Sequence, residues 1–392
     1  MKTGKKPFII LSIIILSAIM ACNSGGEKFS FNVKGKLTNA DNEWVILYKL
    51  TPRSAVKLDS SQMDDEGRFS ITVKTSDTPE LFLLKVKNYP ERITLLMSNG
   101  ETVNITGDAL YINKTWKSEG SHGTKLLQAL TSKINKAMDQ ADSIYFAFRA
   151  TAKDTVNLKQ RAAHTDSLLM NNYKNTYEFV KRFCLDNSDN LAGIIGLYTK
   201  YGTEHILDFN TDFDIFKTVA ENTKKAMPDN VHVKALNESV EKHLAVINHK
   251  NEIEKTLEAG NKAPDFILTT PEGKRVELSL FKGSYVALYF WNSTKKECWD
   301  NNEKIKALYE SNKDAFTPVW VSTEKDKLAW VNTIAMNRIQ EFTNLLADET
   351  VYEAYNLEDK PRLFFIDTGG VILAKDISAD SLKTLVESTI NH

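Results

Sequence analysis

The spacing of apolar residues changes twice along this chain, and this change restricts its fold more than any other feature of the sequence. Between residues 29 and 110, apolar and polar residues alternate, which is the period of half-buried β-strands. Residues 111–258 repeat apolar positions three or four apart, as helices do, and residues 259–392 mix short apolar runs with helical segments. In a chain of 392 residues, three such patterns predict several domains.

The alternating part predicts an antiparallel β-sandwich-like domain at residues 29–110. Turn-forming clusters at residues 39–41, 64–67 and 98–100 divide it into short strands at the spacing typical of sandwiches. No acid pair, histidine cluster or glycine-rich phosphate loop interrupts it, so we interpret it as an interaction or spacer module. The region 111–258 is predicted to be α-helical, with apolar stripes that form a packed core.

The last part predicts an α/β domain with a mixed sheet, because strand-like and helix-like segments alternate before a final hairpin and helix. The hairpin turn is the glycine-containing segment of residues 367–370. Predicted strands cover residues 286–291, 317–321, 363–366 and 371–374, and predicted helices begin at about Lys296, Lys327 and Asp380.

The N-terminal segment predicts export and membrane anchoring. Residues 1–21 carry three lysines and then an apolar run too short for a comfortable membrane span, which is the layout of a secretory signal peptide. The run ends in the sequence IMAC, which resembles the lipobox of bacterial lipoproteins and implies a lipidated Cys22 followed by a flexible tether over residues 22–28. We expect a lipoprotein of the cell envelope, facing the periplasm or held on the outer membrane. The alternative is a plain signal peptide with a chance cysteine.

Charge, cysteine and histidine usage exclude several classes of function. The chain has 50 Lys and Arg against 51 Asp and Glu, a net charge of −1, which does not favour binding to nucleic acid. Three cysteines cannot build a disulfide scaffold or a cysteine-rich zinc site. His243 and His249 are six residues apart, which places them on different faces of a helix. We predict no metal, no cofactor and no nucleic-acid partner.

Several separated motifs occur in order in the C-terminal part: GNKAPDF at residues 260–266, PEGK at 271–274, LSLFKG at 278–283, Phe290-Trp291, and KPRLFFID at 360–367 followed by Gly370. On these motifs, residues 260–392 resemble the thioredoxin-like proteins of the bacterial envelope, the TlpA type within the AhpC/TSA superfamily. The resemblance implies a thioredoxin-like fold and thiol–disulfide or antioxidant chemistry in cell redox homeostasis. The sandwich and helical region also look like the N-terminal part found on many such lipoproteins.

The resemblance also locates an active site, and the chain departs from the family pattern there. In the family, Phe-Trp is followed shortly by Trp-Cys-x-x-Cys at a helix N-terminus, where the first cysteine attacks a disulfide and the second resolves the mixed disulfide. Here Thr294 stands in place of the motif's tryptophan. Lys295 replaces the attacking cysteine, and Cys298 stands at the resolving position. Since lysine cannot exchange disulfides, the usual dithiol cycle would need a second thiol from a partner.

Cys298 has two interpretations. Lys295, Lys296 and the helix N-terminus favour its thiolate and hence single-cysteine chemistry, whereas the resolving position is the more buried one in the family and favours an inert, packed thiol. The Thr-x-x-Cys pattern of the related peroxiredoxins is not met, because Lys295 lies three residues before Cys298. Cys184 lies on an apolar stripe and is predicted to be a core residue, although its pairing with Cys298 in an oxidising compartment stays open.

A substrate groove is the second feature that the resemblance implies. The family holds a cis proline beside its active site, where the preceding backbone pairs with a bound polypeptide, and Lys360-Pro361 matches this place. The alternative is that the turn is retained for the fold. Trp291 is predicted either to line the same surface or to pack at the end of its strand. Two hypotheses follow: an oxidoreductase-type protein in which Cys298 reacts with a redox partner, or a non-catalytic module that binds an envelope polypeptide or small ligand around Trp291, Lys295, Cys298, Lys360 and Pro361.

Overall fold

The structure is a computed structural model. It describes residues 29–390 except residues 41, 152–155, 314, 359 and 360. The chain divides into two compact units, one that ends at Val240 and one that begins at Glu241. The predicted signal peptide, Cys22 and the tether lie outside the described residues. Within the described part, no helix combines the length and the apolar character that a membrane span requires.

The N-terminal unit contains the predicted β-domain and most of the predicted helical region. Its strands are β1 (Ser30–Thr38), β2 (Trp44–Leu50), β3 (Ala55–Gln62), β4 (Arg68–Lys74), β5 (Glu80–Val86), β6 (Arg92–Met97), β7 (Thr102–Asp108), β8 (Lys117–Glu119), β9 (Lys200–Tyr201) and β10 (Glu204–His205). Its helices are α1 (Ile112–Thr115), α2 (His122–Ala150), α3 (Leu158–Asp186), α4 (Leu191–Leu197), α5 (Phe213–Ala226) and α6 (Val231–Thr256), the last of which continues past Val240.

Two sheets form the sandwich, with strand orders β4-β1-β7-β8 and β3-β2-β5-β6. Alternate residues such as Phe31 and Val33 of β1 are fully buried, because every second side chain of a strand points to the same face. The rings of Phe31 and Phe82 lie 4.6 Å apart across this core. The predicted sandwich is confirmed. The pair β1–β7 is parallel, whereas the other pairs described within these two sheets are antiparallel.

Helices α2 and α3 confirm the helical region and the role of its apolar stripes. The side chain of Ser121 accepts a hydrogen bond from the backbone N–H of Thr124, which caps the start of α2. The stripe residues Leu127 and Leu130 are buried on one face of α2. Cys184 of α3 is fully buried, and burial raises the pKa of its thiol to about 12. Its thiol is therefore a packing group.

The C-terminal unit is built around a mixed sheet with the strand order β12-β11-β15-β14-β13-β16-β17. Its strands are β11 (Ile267–Thr269), β12 (Arg275–Glu277), β13 (Val286–Trp291), β14 (Thr317–Ser322), β15 (Thr343–Leu346), β16 (Arg362–Ile366) and β17 (Ile372–Ala374). Its helices are α7 (Lys296–Ser311), α8 (Lys327–Asn337), α9 (Glu349–Ala354) and α10 (Ala379–Ile390).

Strand β13 lies in the middle of this sheet, and all six of its residues are buried. It is parallel to β14 and antiparallel to β16, so its two edges are occupied. Both faces are covered as well: Leu288 and Phe290 pack in one apolar cluster, and Tyr289 and Trp291 pack in another. Burial on both faces explains why β13 reads as a continuous apolar run. The thioredoxin-like fold predicted for this part is confirmed.

Candidate functional site

The site lies where β13 ends and α7 begins. The turn between them, residues 292–295, is held by its own polar side chains. The Oδ1 of Asn292 accepts hydrogen bonds from the backbone N–H of Thr294 at 2.9 Å and from its hydroxyl at 2.6 Å. Glu324, which follows β14, accepts a hydrogen bond from the backbone N–H of Ser293 at 2.7 Å. This turn therefore has a fixed shape before any ligand binds.

Cys298 lies in the first turn of α7, and its side chain is fully buried. The Sγ atom accepts a hydrogen bond of 3.4 Å from the backbone N–H of Asn292. Burial raises the pKa of the thiol, although this N–H and the Tyr289 hydroxyl act in the opposite direction. Neighbouring apolar side chains such as Ile305 and Trp330 share its cluster. The thiol is therefore protonated at neutral pH and shielded from solvent.

Lys295 occupies the opposite situation. It is the residue immediately before α7, its side chain supplies no cap to the helix, and it is exposed. Cys298 and Lys295 are thus separated by one helical turn, with the cysteine facing the core and the lysine facing solvent. The exposed side chain at the start of α7 is therefore an ammonium group.

A groove of about 600 Å³ opens beside this turn. It brings together three of the residues predicted from the sequence, Trp291, Lys295 and Pro361. The lining of the groove also includes Thr323, Glu324, Lys325, Asp326, Tyr352, Leu357 and Glu358. Cys298 lies behind the turn and does not line it. Lys360 and its peptide bond to Pro361 fall outside the described residues.

The groove walls that sequence reasoning missed come from β14 and α9. The Thr323 backbone N–H donates to the carbonyl oxygen of Trp291 at 2.9 Å, and its carbonyl oxygen accepts a hydrogen bond from the Tyr352 hydroxyl at 2.7 Å. Thr323 follows the parallel neighbour of β13, so the carboxyl-end rule for parallel strands could have found it. Tyr352 carries no such signal, because only the folded chain brings α9 to this edge.

Two of the acidic side chains around the groove accept hydrogen bonds from backbone N–H groups. Asp326 caps α8 by accepting a hydrogen bond from the backbone N–H of Leu328 at 2.7 Å. Glu324 is bound to the Ser293 backbone as described above. Lys295 and Lys325 are exposed. Across the described part of the chain, no group of three or more His, Cys, Asp or Glu side chains is arranged to hold a metal ion.

Comparison with known proteins identifies two regions. Residues 259–375 match the model of the AhpC/TSA family, and residues 31–127 match a domain of unknown function, DUF4369. The thiol-disulfide oxidoreductase ResA of Bacillus thuringiensis subsp. konkukian is 26% identical over 135 residues, which are 34% of this chain and 78% of ResA. The thioredoxin-like protein YneN of Bacillus subtilis is 28% identical over 122 residues, which are 30% of this chain and 69% of YneN.

Solved structures cover a similar share of the chain. The thioredoxin domain of a thiol-disulfide oxidoreductase from Bacteroides vulgatus is 28% identical, with 34% of this chain and 98% of that chain covered and a TM-score of 0.32. A thiol:disulfide interchange protein from Bacteroides sp. is 27% identical, with 35% and 93% covered and a TM-score of 0.33. The predicted resemblance to thioredoxin-like proteins is confirmed by the family match and the curated relatives.

Proposed function

We propose that the AhpC/TSA thioredoxin-like domain of residues 259–375 is a non-catalytic binding module for an extended polypeptide. One observation carries this proposal. The domain keeps a groove whose lining includes Lys295, Pro361 and the buried Trp291, while its remaining thiol, Cys298, is fully buried behind that groove. A binding surface is therefore present where an attacking thiolate is missing.

The chemistry of disulfide exchange supports this choice. Exchange requires an accessible thiolate that attacks one sulfur of the substrate disulfide and releases the other as a thiolate. The exposed position before α7 is occupied by Lys295, which has no sulfur, and the pKa of Cys298 is raised by its burial. A dithiol cycle therefore has neither its attacking group nor an ionised resolving group.

Single-cysteine chemistry at Cys298 is the second candidate. The hydrogen bond from the Asn292 N–H to Sγ and the nearby Tyr289 hydroxyl both favour the thiolate. Burial outweighs them, because the net direction of the pKa shift is upward. We therefore rank this role, with an envelope redox partner, below the binding role.

An extended polypeptide fits the groove better than a compact small molecule. The lining of the groove carries charged side chains of both signs, among them Lys325 and Asp326, and it includes Pro361 and residues at the carboxyl ends of β13 and β14. Small-molecule sites are more often enclosed and mostly apolar. A polypeptide can match such a surface with its own backbone amides and mixed side chains.

Binding and thiol reactivity test the proposal together. Reduced, carboxymethylated α-lactalbumin is a suitable probe because it is unfolded and carries no free thiol. We expect fluorescently labelled probe to bind the wild-type protein and the Cys298→Ala variant equally, and to bind Lys295→Glu more weakly. Lys313→Glu, an exposed lysine outside the groove, is the matched control. Absence of probe binding, or loss of binding in Cys298→Ala, would contradict the binding role.

We also propose that the protein is a lipoprotein of the cell envelope, held on a membrane through Cys22. The lysine-rich start, the apolar run and the IMAC sequence support this. Mass spectrometry of the N-terminal peptide from native membranes tests it. A diacyl- or triacyl-modified Cys22 is expected, whereas an unmodified N-terminus downstream of residue 22 would favour a plain signal peptide.

A further inference from the structure

An ion network centred on a buried arginine lies next to the Pro361 wall of the groove. At its centre is Arg362, the residue after Pro361, which is only 7% exposed. Its Nε and Nη2 donate to the two carboxylate oxygens of Asp376 at 2.8 and 2.7 Å. Nη1 and Nη2 donate to the two oxygens of Glu254 at 2.7 and 3.0 Å. Two forked pairs therefore fix the guanidinium in one orientation.

The fifth donor of Arg362 reaches the backbone. Nη1 also donates to the carbonyl oxygen of Tyr355 at 2.6 Å, so all five N–H groups of the side chain are bonded. Tyr355 is the last residue before the segment that supplies Leu357, Glu358 and Pro361 to the groove. Arg362, which follows Pro361, is thus bonded to the backbone of Tyr355.

Glu254 is the second anchor. It lies near the end of α6, outside the region that matches the AhpC/TSA family. Besides Arg362, it accepts hydrogen bonds from the Asn356 side chain at 2.6 Å and from Nζ of Lys375 at 3.1 Å. Burial acts to raise the pKa of Glu254, but these donors outweigh it and lower the pKa to about 2. Glu254 is therefore ionised throughout the physiological range.

We infer that Glu254 and Arg362 are positioning residues for the groove. They act through residues 355–358 and Pro361, whose backbone they hold against α6 and β16, and they need not touch the ligand. A wall that is already ordered lowers the entropy lost when a polypeptide binds. This inference rests on the proposed binding function, and it makes the end of α6 a part of the binding machinery.

Hydrogen exchange and probe binding test this inference in the full chain. In Glu254→Gln we expect amide exchange in residues 355–358 to become about tenfold faster, because the charge and one of the two acceptor oxygens that hold Arg362 and Asn356 are lost. Exchange in the buried strands β13 and β14 should accelerate by no more than the loss of overall stability requires, so that any larger acceleration in residues 355–358 reports a local effect. Binding of carboxymethylated α-lactalbumin should weaken by about tenfold, since the free segment must then be ordered by the ligand. Glu252→Gln is the matched control, because Glu252 lies on the same helix and bonds to Lys255.

The two readouts separate failure of the inference from failure of the proposed function. Unchanged exchange in residues 355–358, or faster exchange with unchanged probe affinity, would overturn the positioning role. If the wild-type protein does not bind the probe, the binding function is wrong, and the exchange result then decides whether Glu254 orders this segment. Arg362→Met is a second variant for the same test, provided that it folds. If Arg362→Met does not fold, Glu254→Gln still tests the inference, because Glu254 is partly exposed and its substitution disturbs the core less.

Discussion

The backbone N–H of Asn292 donates a hydrogen bond of 3.4 Å to the Sγ of Cys298. This contact joins the turn that forms the groove to the first turn of α7 and turns the sulfur towards the core. The sulfur therefore serves as an acceptor that helps to shape the turn. Its reactivity is limited by the same arrangement, since a nucleophilic sulfur must be free of packing to reach its target.

Cys298 should resist alkylation in the native protein. Because its thiol is buried and its pKa is raised, we expect iodoacetamide to modify Cys298 at least about 100-fold more slowly than an exposed thiol. Mass spectrometry of the Cys184→Ser variant, with and without urea, measures this. Labelling should be fast only in urea. Rapid labelling of the native protein, with a midpoint in its pH dependence below about 8.5, the ordinary pKa of a thiol, would support the single-cysteine hypothesis instead.

Lys295→Cys should create a dithiol at the start of α7. The new thiol would be exposed beside a helix N-terminus, which lowers its pKa, and Cys298 would lie one turn away as the shielded partner. We expect an intramolecular disulfide, seen as a 2-dalton mass loss that dithiothreitol reverses. Insulin reduction should appear in this variant and be missing from the wild type. Lys295→Ser is the control, and a variant that stays fully reduced in air would show that the active-site geometry has been lost.

Glu254→Gln should lower the stability of the C-terminal unit in a pH-dependent way. The folded pKa of Glu254 is about 2, below its ordinary value, so its stabilisation is present above about pH 4.5 and is lost as the pH falls towards 2. Breaking a buried ion pair costs about 3–5 kcal/mol of stability. For Glu254→Gln we expect a smaller loss in the free energy of unfolding, about 1–2 kcal/mol at pH 7, because Glu254 is partly exposed and Arg362 keeps its ion pair with Asp376.

Urea unfolding followed by tryptophan fluorescence measures this difference, because four of the six tryptophans lie in the C-terminal unit: Trp291, Trp299, Trp320 and Trp330. The difference in the free energy of unfolding between the wild type and Glu254→Gln should become smaller as the pH is lowered from 7 to 3. The free energy of unfolding of Glu252→Gln should equal that of the wild type at both pH values. If Glu254→Gln lowers the free energy of unfolding equally at pH 7 and pH 3, the charge of Glu254 is not what stabilises the unit.

Gly67→Ala should destabilise the sandwich more than Gly100→Ala. Both glycines have a positive φ, +74° and +80°, so an alanine at either position costs about 1–2 kcal/mol. At Gly67, a Cβ would also lie 2.0 Å from the carbonyl oxygen of Leu37, whereas at Gly100 it meets no atom within 4 Å. Thermal unfolding of the two variants compares them. Equal losses would show that the turn at Gly67 relaxes away from β1.

The order of strands and helices along the chain could be predicted from the sequence because it depends on local periodicity. The predicted strand 286–291 and the predicted helix starts at Lys296 and Lys327 agree with β13, α7 and α8. The short strands β11, β12 and β15 were missed, since three or four residues are too few to show a period; β17 is equally short, but the glycine-containing turn at residues 367–370 marks it. The parallel pairing of β1 with β7 was also missed, because the direction of pairing depends on residues about 70 positions apart.

The sequence by itself determined which reactive side chains are available: Lys295 and a single cysteine, Cys298, near the start of α7, and a proline, Pro361, before β16. Tertiary structure decided the rest. Only the folded chain shows that Cys298 is shielded while Lys295 is exposed, and that Glu254 joins Arg362 behind Pro361. The reason is that residue identity limits which reactions are possible, whereas burial and long-range contacts set the accessibility and pKa of each group.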